Sequence, residues 1–597
     1  MCRIAGIINP SIPHQEILAM VKGMCKTLEH GGPDDEGIYE NADENLALGH
    51  RRLSIIDISN GGHQPMLYEQ GRYVISYNGE LYNYKELKKE LADAGAFFKT
   101  QSDTEVIVAA YAFWGTAALE RFSGMFAFAI WDNLQKELMI ARDPGGIKPV
   151  YYAFTKEGFA FASEVRAFNN IPYLQEVNQN WPVYFMAYGH LPEPVTLLKN
   201  VQPLEKGTYL IYRPAADTIK TNSFSRYKYL EKTGGRKEAI QVVKDSLEKA
   251  VQDHLISDAP IGVFLSGGLD SSVIALLANR HQASLQAISI YFDNNQYSEK
   301  KYQDLLKEQL ASCNHHQFLI GENDFHSFLP AIIQSMDLPC CDGINTWFIS
   351  KYAKESGLKA VLSGIGGDEL FGGYPSFKRI KTVLALEKLP GSVLRAGRHA
   401  RSKKLRRLAY LSIGGPVGRY LFLRGQHIPG DIAAFLNADE AEVWNLLEEQ
   451  PRLPDIDYLS PQNQASWMEI NLYMQNQLLR DADVMSMAHG VEIRVPFLDN
   501  AFVQAVLKIK SEIKYSGSPG KKLLIDSFKD IMPEAIWNRP KMGFSFPFKE
   551  WLANDRYAAG MGDTNLGAYH QKLKAGDLHW SQFFTLMLMN NYSNAGR

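Results

Sequence analysis

Ile261-Gly262-Val263-Phe264-Leu265-Ser266-Gly267-Gly268-Leu269-Asp270-Ser271-Ser272-Val273-Ile274-Ala275-Leu276-Leu277-Ala278 reads as an apolar run, a glycine-rich turn and an apolar helix. A continuous apolar run bounded by turn residues suits a strand buried on both faces, as in a parallel sheet. A turn that leads from such a strand into a helix gathers backbone N–H groups at a helix N-terminus and makes an anion cradle. It is not a Walker loop, because no Gly-Lys-Ser/Thr follows. A second apolar run, Leu358-Lys359-Ala360-Val361-Leu362, leads into Ser363-Gly364-Ile365-Gly366-Gly367-Asp368-Glu369-Leu370-Phe371-Gly372-Gly373-Tyr374. Ligands of open α/β sheets sit at the carboxyl ends of strands. Both loops leave such ends, so Asp270 and Asp368 are expected to face one phosphate chain. Carboxylates with phosphate oxygens are the usual ligands of Mg²⁺, which makes these two the expected metal ligands.

The N-terminal third has a different texture. Short β-rich runs such as 73–77 and 126–130 alternate with turns, and helical patterns fall near 83–94 and 103–114. The chain begins Met1-Cys2-Arg3-Ile4-Ala5-Gly6-Ile7. Removal of Met1 would set the Cys2 thiol beside a free α-amine, and an N-terminal nucleophile can use that amine as its general base. A thiolate attacking an amide carbonyl creates an oxyanion that needs donors. Asn78 offers a side-chain amide, and Gly79 lets a backbone N–H come close. Arg52 suits an α-carboxylate by bidentate pairing, and Asp103 suits an α-ammonium. The plainer readings are a buried cysteine at Cys2, a hairpin turn at Asn78-Gly79 and a helix N-cap at Asp103.

Cys2, Arg52-Leu53-Ser54, Asn78-Gly79-Glu80 and Ser102-Asp103, in that order and spacing, resemble the class II glutamine amidotransferases, which are N-terminal-nucleophile hydrolases. The resemblance implies that Cys2 attacks the glutamine side-chain amide and releases ammonia. Asn78 and Gly79 would form the oxyanion hole, and Arg52, Leu53, Glu80 and Asp103 the glutamine-binding set. The loop Ser266-Gly267-Gly268-Leu269-Asp270-Ser271 matches the pyrophosphate loop of the ATP pyrophosphatases. With Ser363–Tyr374, Gly490–Asp499 and Lys521, it makes the chain similar to glutamine-dependent asparagine synthetases from Cys2 to about Trp551. The implied fold is α/β. It comprises an αββα N-terminal-nucleophile domain over 2–210, a linker over 211–236 and a doubly wound parallel-sheet domain with extra helices over 237–597. By the same resemblance, Ser266, Gly267, Gly268, Asp270 and Ser271 hold the ATP pyrophosphate, Ile290, Ser363 and Gly364 hold adenosine, and Leu265 completes the ATP-binding set. Lys521 stabilises charge during adenylation and amide formation, with Lys522 as rival.

The expected substrates are glutamine, ATP and an acceptor carboxylate, with aspartate leading. At one position the chain departs from the family: Ile365 stands where asparagine synthetases carry a Glu. That keeps open the same chemistry on a sugar acid or modified peptide, and a ring-forming synthetase that uses no ammonia. Retention of Cys2, Arg52, Asn78, Gly79 and Asp103 argues against a dead first domain. Intact Asp270, Asp368 and Lys521 argue against a non-catalytic scaffold.

Size and composition bound the rest. A chain of 597 residues suggests two or more domains. Hydrophobic content of 45% with 22% charged residues is that of a globular protein, and a net charge of −3 points to neither nucleic acid nor membrane. No apolar run approaches the ~20 residues of a membrane helix, and the start lacks a secretory pattern. Five cysteines make no disulfide framework and suit the cytoplasm. Adjacent Cys340-Cys341 lacks zinc-site spacing. Residues 395–407 carry seven Lys and Arg and no acid, read as a solvated helix face or as a dock for a large anionic acceptor. The oligomeric state stays open, a homodimer among the options.

Overall fold

The computed structural model describes residues 2–282, 284–310, 312–449, 453–543, 545–554 and 564–595. The N-terminal strands are β1 (Arg3–Ile8), β2 (Asp35–Asn41), β3 (Leu46–Arg52), β4 (Met66–Tyr68), β5 (Tyr73–Leu81), β6 (Gly124–Asp132), β7 (Glu137–Arg142), β8 (Tyr151–Thr155), β9 (Gly158–Ala162), β10 (Gln202–Pro203), β11 (Thr208–Arg213) and β12 (Thr218–Ser223). They form two antiparallel six-stranded sheets ordered β10-β8-β9-β1-β3-β2 and β12-β11-β7-β6-β5-β4. The period of two along a strand decides the layering. In β1, Ile4 and Ile8 join Leu48, Val74, Trp131 and Phe161 in the core between the sheets. Ala5 and Ile7 point the other way, into the core that holds Ile17, Val21 and Met24 of helix α1 (His14–Thr27). Helices α2 (Tyr84–Asp93) and α3 (Asp103–Trp114) cover the second sheet, completing four layers. Gly6 faces the inter-sheet gap, where a Cβ would come within 2.4 Å of the Phe161 ring.

The C-terminal sheet is parallel throughout: β13 (Ile261–Phe264), β14 (Gln286–Tyr291), β15 (Asn314–Leu319), β16 (Ala360–Leu362) and β17 (Glu492–Arg494), in the order β15-β14-β13-β16-β17. β13 and β16 are adjacent and buried throughout, as continuous apolar runs require. Their loops therefore leave the same edge of the sheet side by side.

The expected linker over 211–236 is corrected. Residues 208–223 form the hairpin β11–β12 at the edge of the second antiparallel sheet. β12 is an edge strand with mostly exposed residues, so its polar sequence lacks the alternation that marks a half-buried strand. The crossing is the shorter 224–235, and it is pinned to the C-terminal half where the N–H groups of Leu230 and Lys232 donate to Leu507 and Lys508 carbonyls at 3.1 and 2.7 Å. Further contacts tie the halves together: Lys359 Nζ lies 2.7 Å from Asp34 Oδ2, and Arg3 Nη1 lies 2.8 Å from Asp483 Oδ2.

Candidate active sites

β1 delivers Cys2 to the mouth of the sandwich. Cys2, Arg52, Leu53, Gly79, Glu80 and Asp103 line one cavity with about 20 Å³ of open space, room for about one water. Seven further residues line it, among them Gln64, Tyr77 and Thr104, to which the sequence reading gave no role. Arg52 is shaped by its own loop: Nη1 donates to Ser59 O at 2.9 Å, and Nη2 donates to Asp57 O. Asp103 is not the N-cap. Ser102 caps α3 by accepting from Thr104 N–H at 3.2 Å. Asp103 turns inward and accepts from Tyr77 O–H at 3.1 Å and Leu81 N–H at 3.0 Å. Burial pushes its pKa up to about 6.

Asn78-Gly79 is not a turn either. Both lie within β5, opposite Ala127 and Phe126 of β6. A Cβ on Gly79 would sit 2.1 Å from Met125 O, so close strand approach demands glycine there. Asn78 does not line the cavity, but its side-chain amide is buried with neither N nor O partnered. An unpartnered buried amide is costly. The Cys2 thiol is buried, and burial pushes its pKa to about 11 against the opposing pull of Arg52. The thiol faces Leu53 O at 3.9 Å. Burial thus favours the neutral thiol over the thiolate.

The second constellation lies at the carboxyl ends of β13 and β16. Gly267 takes φ +87°, the left-handed turn that leads into helix α4 (Leu269–His281). Within the turn, Ser266 Oγ accepts from Gly268 N–H at 3.1 Å and lies 2.9 Å from Ser271 Oγ, while Ser271 Oγ donates to Gly268 O at 3.1 Å. Lys521 bridges the two loops: its Nζ is 2.5 Å from Asp270 Oδ2 and also contacts Asp368 Oδ1. Burial works to discharge Lys521, but the two aspartates outweigh it and hold its pKa above the ordinary range. Lys522 pairs with Asp526 on its own helix instead, so the register favours Lys521. Glycines keep the aspartates close: a Cβ on Gly364 would lie 2.9 Å from Ser271 N, and one on Gly367 2.5 Å from Asp270 Oδ1.

Leu265 and Ile290 are buried and contribute backbone position. Leu265 N–H donates to Ile288 O at 2.9 Å, and Ile290 O accepts from Gln303 Nε2 at 3.0 Å. Ser363 N–H donates to Arg494 O at 2.8 Å. Two cations were not foreseen. Lys541 Nζ lies 2.7 Å from Asp368 Oδ2, and Arg539 Nη2 donates to Gly267 O at 2.9 Å. Arg539 borders an open recess of about 500 Å³. The sequence Asn538-Arg539-Pro540-Lys541 shows two cations around a proline, and no spacing rule ties them to loops so far upstream.

Arg494 joins the two constellations. Its Nη2 lies 3.2 Å from Glu80 Oε1 in the Cys2 cavity, and its Nε lies 2.6 Å from Glu492 Oε1. Its backbone carbonyl receives Ser363 at the head of the second loop. Glu369 is buried and accepts from Tyr374 O–H at 2.7 Å; burial and neighbouring Asp368 push its pKa to about 7. Ile365 is half-buried against the core. Cys340 Sγ donates to Asp481 Oδ2 at 2.9 Å, and among the described residues no cluster of three or more His, Cys, Asp or Glu could hold a metal alone.

Residues 242–568 match the family model described as asparagine synthase, and residues 1–227 the glutamine amidotransferase domain. The chain is 34% identical over 580 residues to asparagine synthetase (glutamine-hydrolyzing) 1 of Bacillus subtilis, covering 93% of this chain and 88% of that one. It is 29% identical over 568 residues to asparagine synthetase (glutamine-hydrolyzing) 3 of the same organism, covering 91% and 86%. It is 27% identical over 589 residues to amidase chry2 of Gibberella zeae, covering 90% and 86%.

Proposed function

The chain belongs to the asparagine synthase family of amidotransferase ligases, and from that membership we propose that it uses glutamine and ATP to convert an acceptor carboxylate to its amide. The division of labour falls at 224–235, with glutamine hydrolysis before it and ligation after it. Removal of Met1 frees the Cys2 α-amine, which takes the thiol proton. The thiolate attacks the glutamine side-chain amide, ammonia leaves, and water releases glutamate from the thioester. Asn78 and Gly79 receive the oxyanion. Arg52 holds the glutamine α-carboxylate, Asp103 and Glu80 its ammonium, and Leu53 the pocket wall.

At the second site the acceptor carboxylate attacks the α-phosphorus of ATP and pyrophosphate leaves. Ammonia then attacks the acyl carbon and AMP leaves with the carboxyl oxygen. Ser266, Gly267, Gly268 and Ser271 cradle pyrophosphate, while Leu265, Ile290, Ser363 and Gly364 frame adenosine. Lys521 counters charge at the transferring phosphorus. Asp270 and Asp368 suit Mg²⁺, since Asp270 Oδ1 is buried without a partner. When bound, the ion neutralises phosphate charge. The observation that carries this reading is Lys521 spanning Asp270 and Asp368 across two glycine-rich loops, in the same chain as a cavity lined by Cys2, Arg52 and Asp103.

Aspartate is the leading acceptor, on the names of the relatives. Ile365 supports a second reading, a different carboxylic acid. An apolar side chain raises the cost of desolvating a charged amine beside it. The five free thiols fit a reducing compartment, and we assign the enzyme to the cytoplasm. The test is release of AMP and pyrophosphate, with ammonium as nitrogen donor, across aspartate, uronic acids and peptide carboxylates. A kcat/KM of ~10⁴ M⁻¹s⁻¹ or more with aspartate selects the first reading. Turnover of another acid alone selects the second. ADP and phosphate as products would remove the adenylation step.

A further inference from the structure

Residues 376–407 hold eleven Lys and Arg and a single acid, Glu387, in a chain whose net charge is −3. Glu387 is already neutralised by Arg419, whose Nε lies 2.7 Å from its carboxylate. The helices Ser376–Leu386 and Gly391–Ala396 bury one side: Val383 and Leu394 pack with Leu411 in a small core of their own. Three of the eleven cations turn inward. Arg398 pairs with Glu448 at 2.8 Å and lies over the Trp444 ring, Arg406 Nε donates to Ala400 O at 3.0 Å, and Arg407 Nη2 donates to Leu421 O at 3.0 Å.

Of the other eight, seven face solvent: Lys378, Arg379, Lys381, Lys388, Arg395, Arg401 and Lys404. None of these seven forms an ion pair among the described residues. Large apolar side chains stand out among them: Leu389 is 41% exposed, Val393 54% and Leu405 52%. Leu405 is close to the second helix, because its carbonyl would lie 3.0 Å from a Cβ on Gly397, the residue after Ala396.

We propose that this face docks on an anionic phospholipid surface. Charge selects an anionic partner, and a second copy of the same face would be repelled. The exposed Leu and Val select among anions. An acidic polymer offers nothing to bury them against, whereas a bilayer interface takes apolar side chains below the headgroups while Lys and Arg remain at the phosphates. Phe377, the one Phe, Tyr or Trp of 376–407, is buried and so cannot stack on nucleobases. The face continues directly from the Asp368–Tyr374 loop through helix Ser376–Leu386, so docking would bring the second site toward the membrane. The whole-chain charge conceals the face, because acids elsewhere cancel it.

The full-length protein should sediment with vesicles containing phosphatidylglycerol and remain in solution with pure phosphatidylcholine, and added salt should release it. The triple variant R395E/R401E/K404E should bind at least hundredfold more weakly, since each basic residue near an anionic surface is worth about fivefold in binding. V393S/L405S should also bind more weakly, and both variants should keep parental glutaminase activity, which shows that they fold. Failure to sediment with phosphatidylglycerol vesicles at low salt would overturn the proposal. So would V393S/L405S binding vesicles as tightly as the parent, or soluble polygalacturonate or RNA binding more tightly than vesicles do.

Discussion

The cavity at Cys2 keeps about 20 Å³ of open space, while the recess beside Arg539 keeps about 500 Å³. The two sites also treat charge differently. At the first, a thiol and Asp103 are buried, and burial pushes both toward their neutral forms. At the second, two half-buried aspartates are neutralised by buried Lys521 and exposed Lys541 across short contacts. The difference in charge handling agrees with the substrates proposed above for each site. A small neutral side-chain amide is attacked best where water is excluded and fixed dipoles act at low dielectric. A nucleotide needs room of several hundred Å³ and charges that can trade a protein partner for a phosphate. Arg494 pairs with Glu80 of the first cavity while its backbone holds a loop of the second.

Cys2→Ala breaks the comparison most strongly. Glutamine-dependent product formation should fall by several orders of magnitude, while synthesis from ammonium salts persists. Equal loss with ammonium would show that the two sites do not share only ammonia. Asp270→Ala and Asp368→Ala should act in the opposite sense, cutting pyrophosphate release about a thousandfold by removing preorganised transition-state stabilisation. Glutamate production by these variants is expected to stay near parental.

The pH dependence of glutamine binding sharpens the contrast. Asp103 has a pKa near 6, and only its ionised form attracts an ammonium. Below that value KM for glutamine should rise up to about tenfold per pH unit, a slope set by one proton. Asp103→Asn should carry the raised KM at every pH. A profile flat to pH 5 in the parent would refute the role. The smallest effect is expected at Lys541→Ala, which leaves Lys521 in place: KM for ATP should rise about tenfold, as for one lost charge-assisted contact, with glutaminase untouched. Isothermal titration with a non-hydrolysable nucleotide would check it.

Much of this was legible beforehand where chemistry and local structure coincide. Ser266–Ser272 announces a strand, a turn and a helix because glycine at φ +87° and an apolar run leave few alternatives. α2 and α3 fall where their periodicity placed them. The hairpin β11–β12 was misread because an exposed edge strand carries the composition of a linker. Asn78-Gly79 was open to misreading because glycine marks both a turn and a close strand approach, and only the β6 carbonyl beneath it decides between them.

Sequence alone suggested the two proposed chemistries, because each is signalled by short local motifs: a cysteine at position 2, and glycine loops ending buried strands. Tertiary structure decided the partnerships across distance. Lys521 rather than Lys522 meets the aspartates because its backbone sits at φ 61° just before the helix, aiming it across to loops 150 and 250 residues upstream. Arg539, Lys541 and Arg494 acquire partners only once the chain closes on itself. Contact energies fall off within a few ångströms, and chain order holds no record of which distant side chains folding will bring that near.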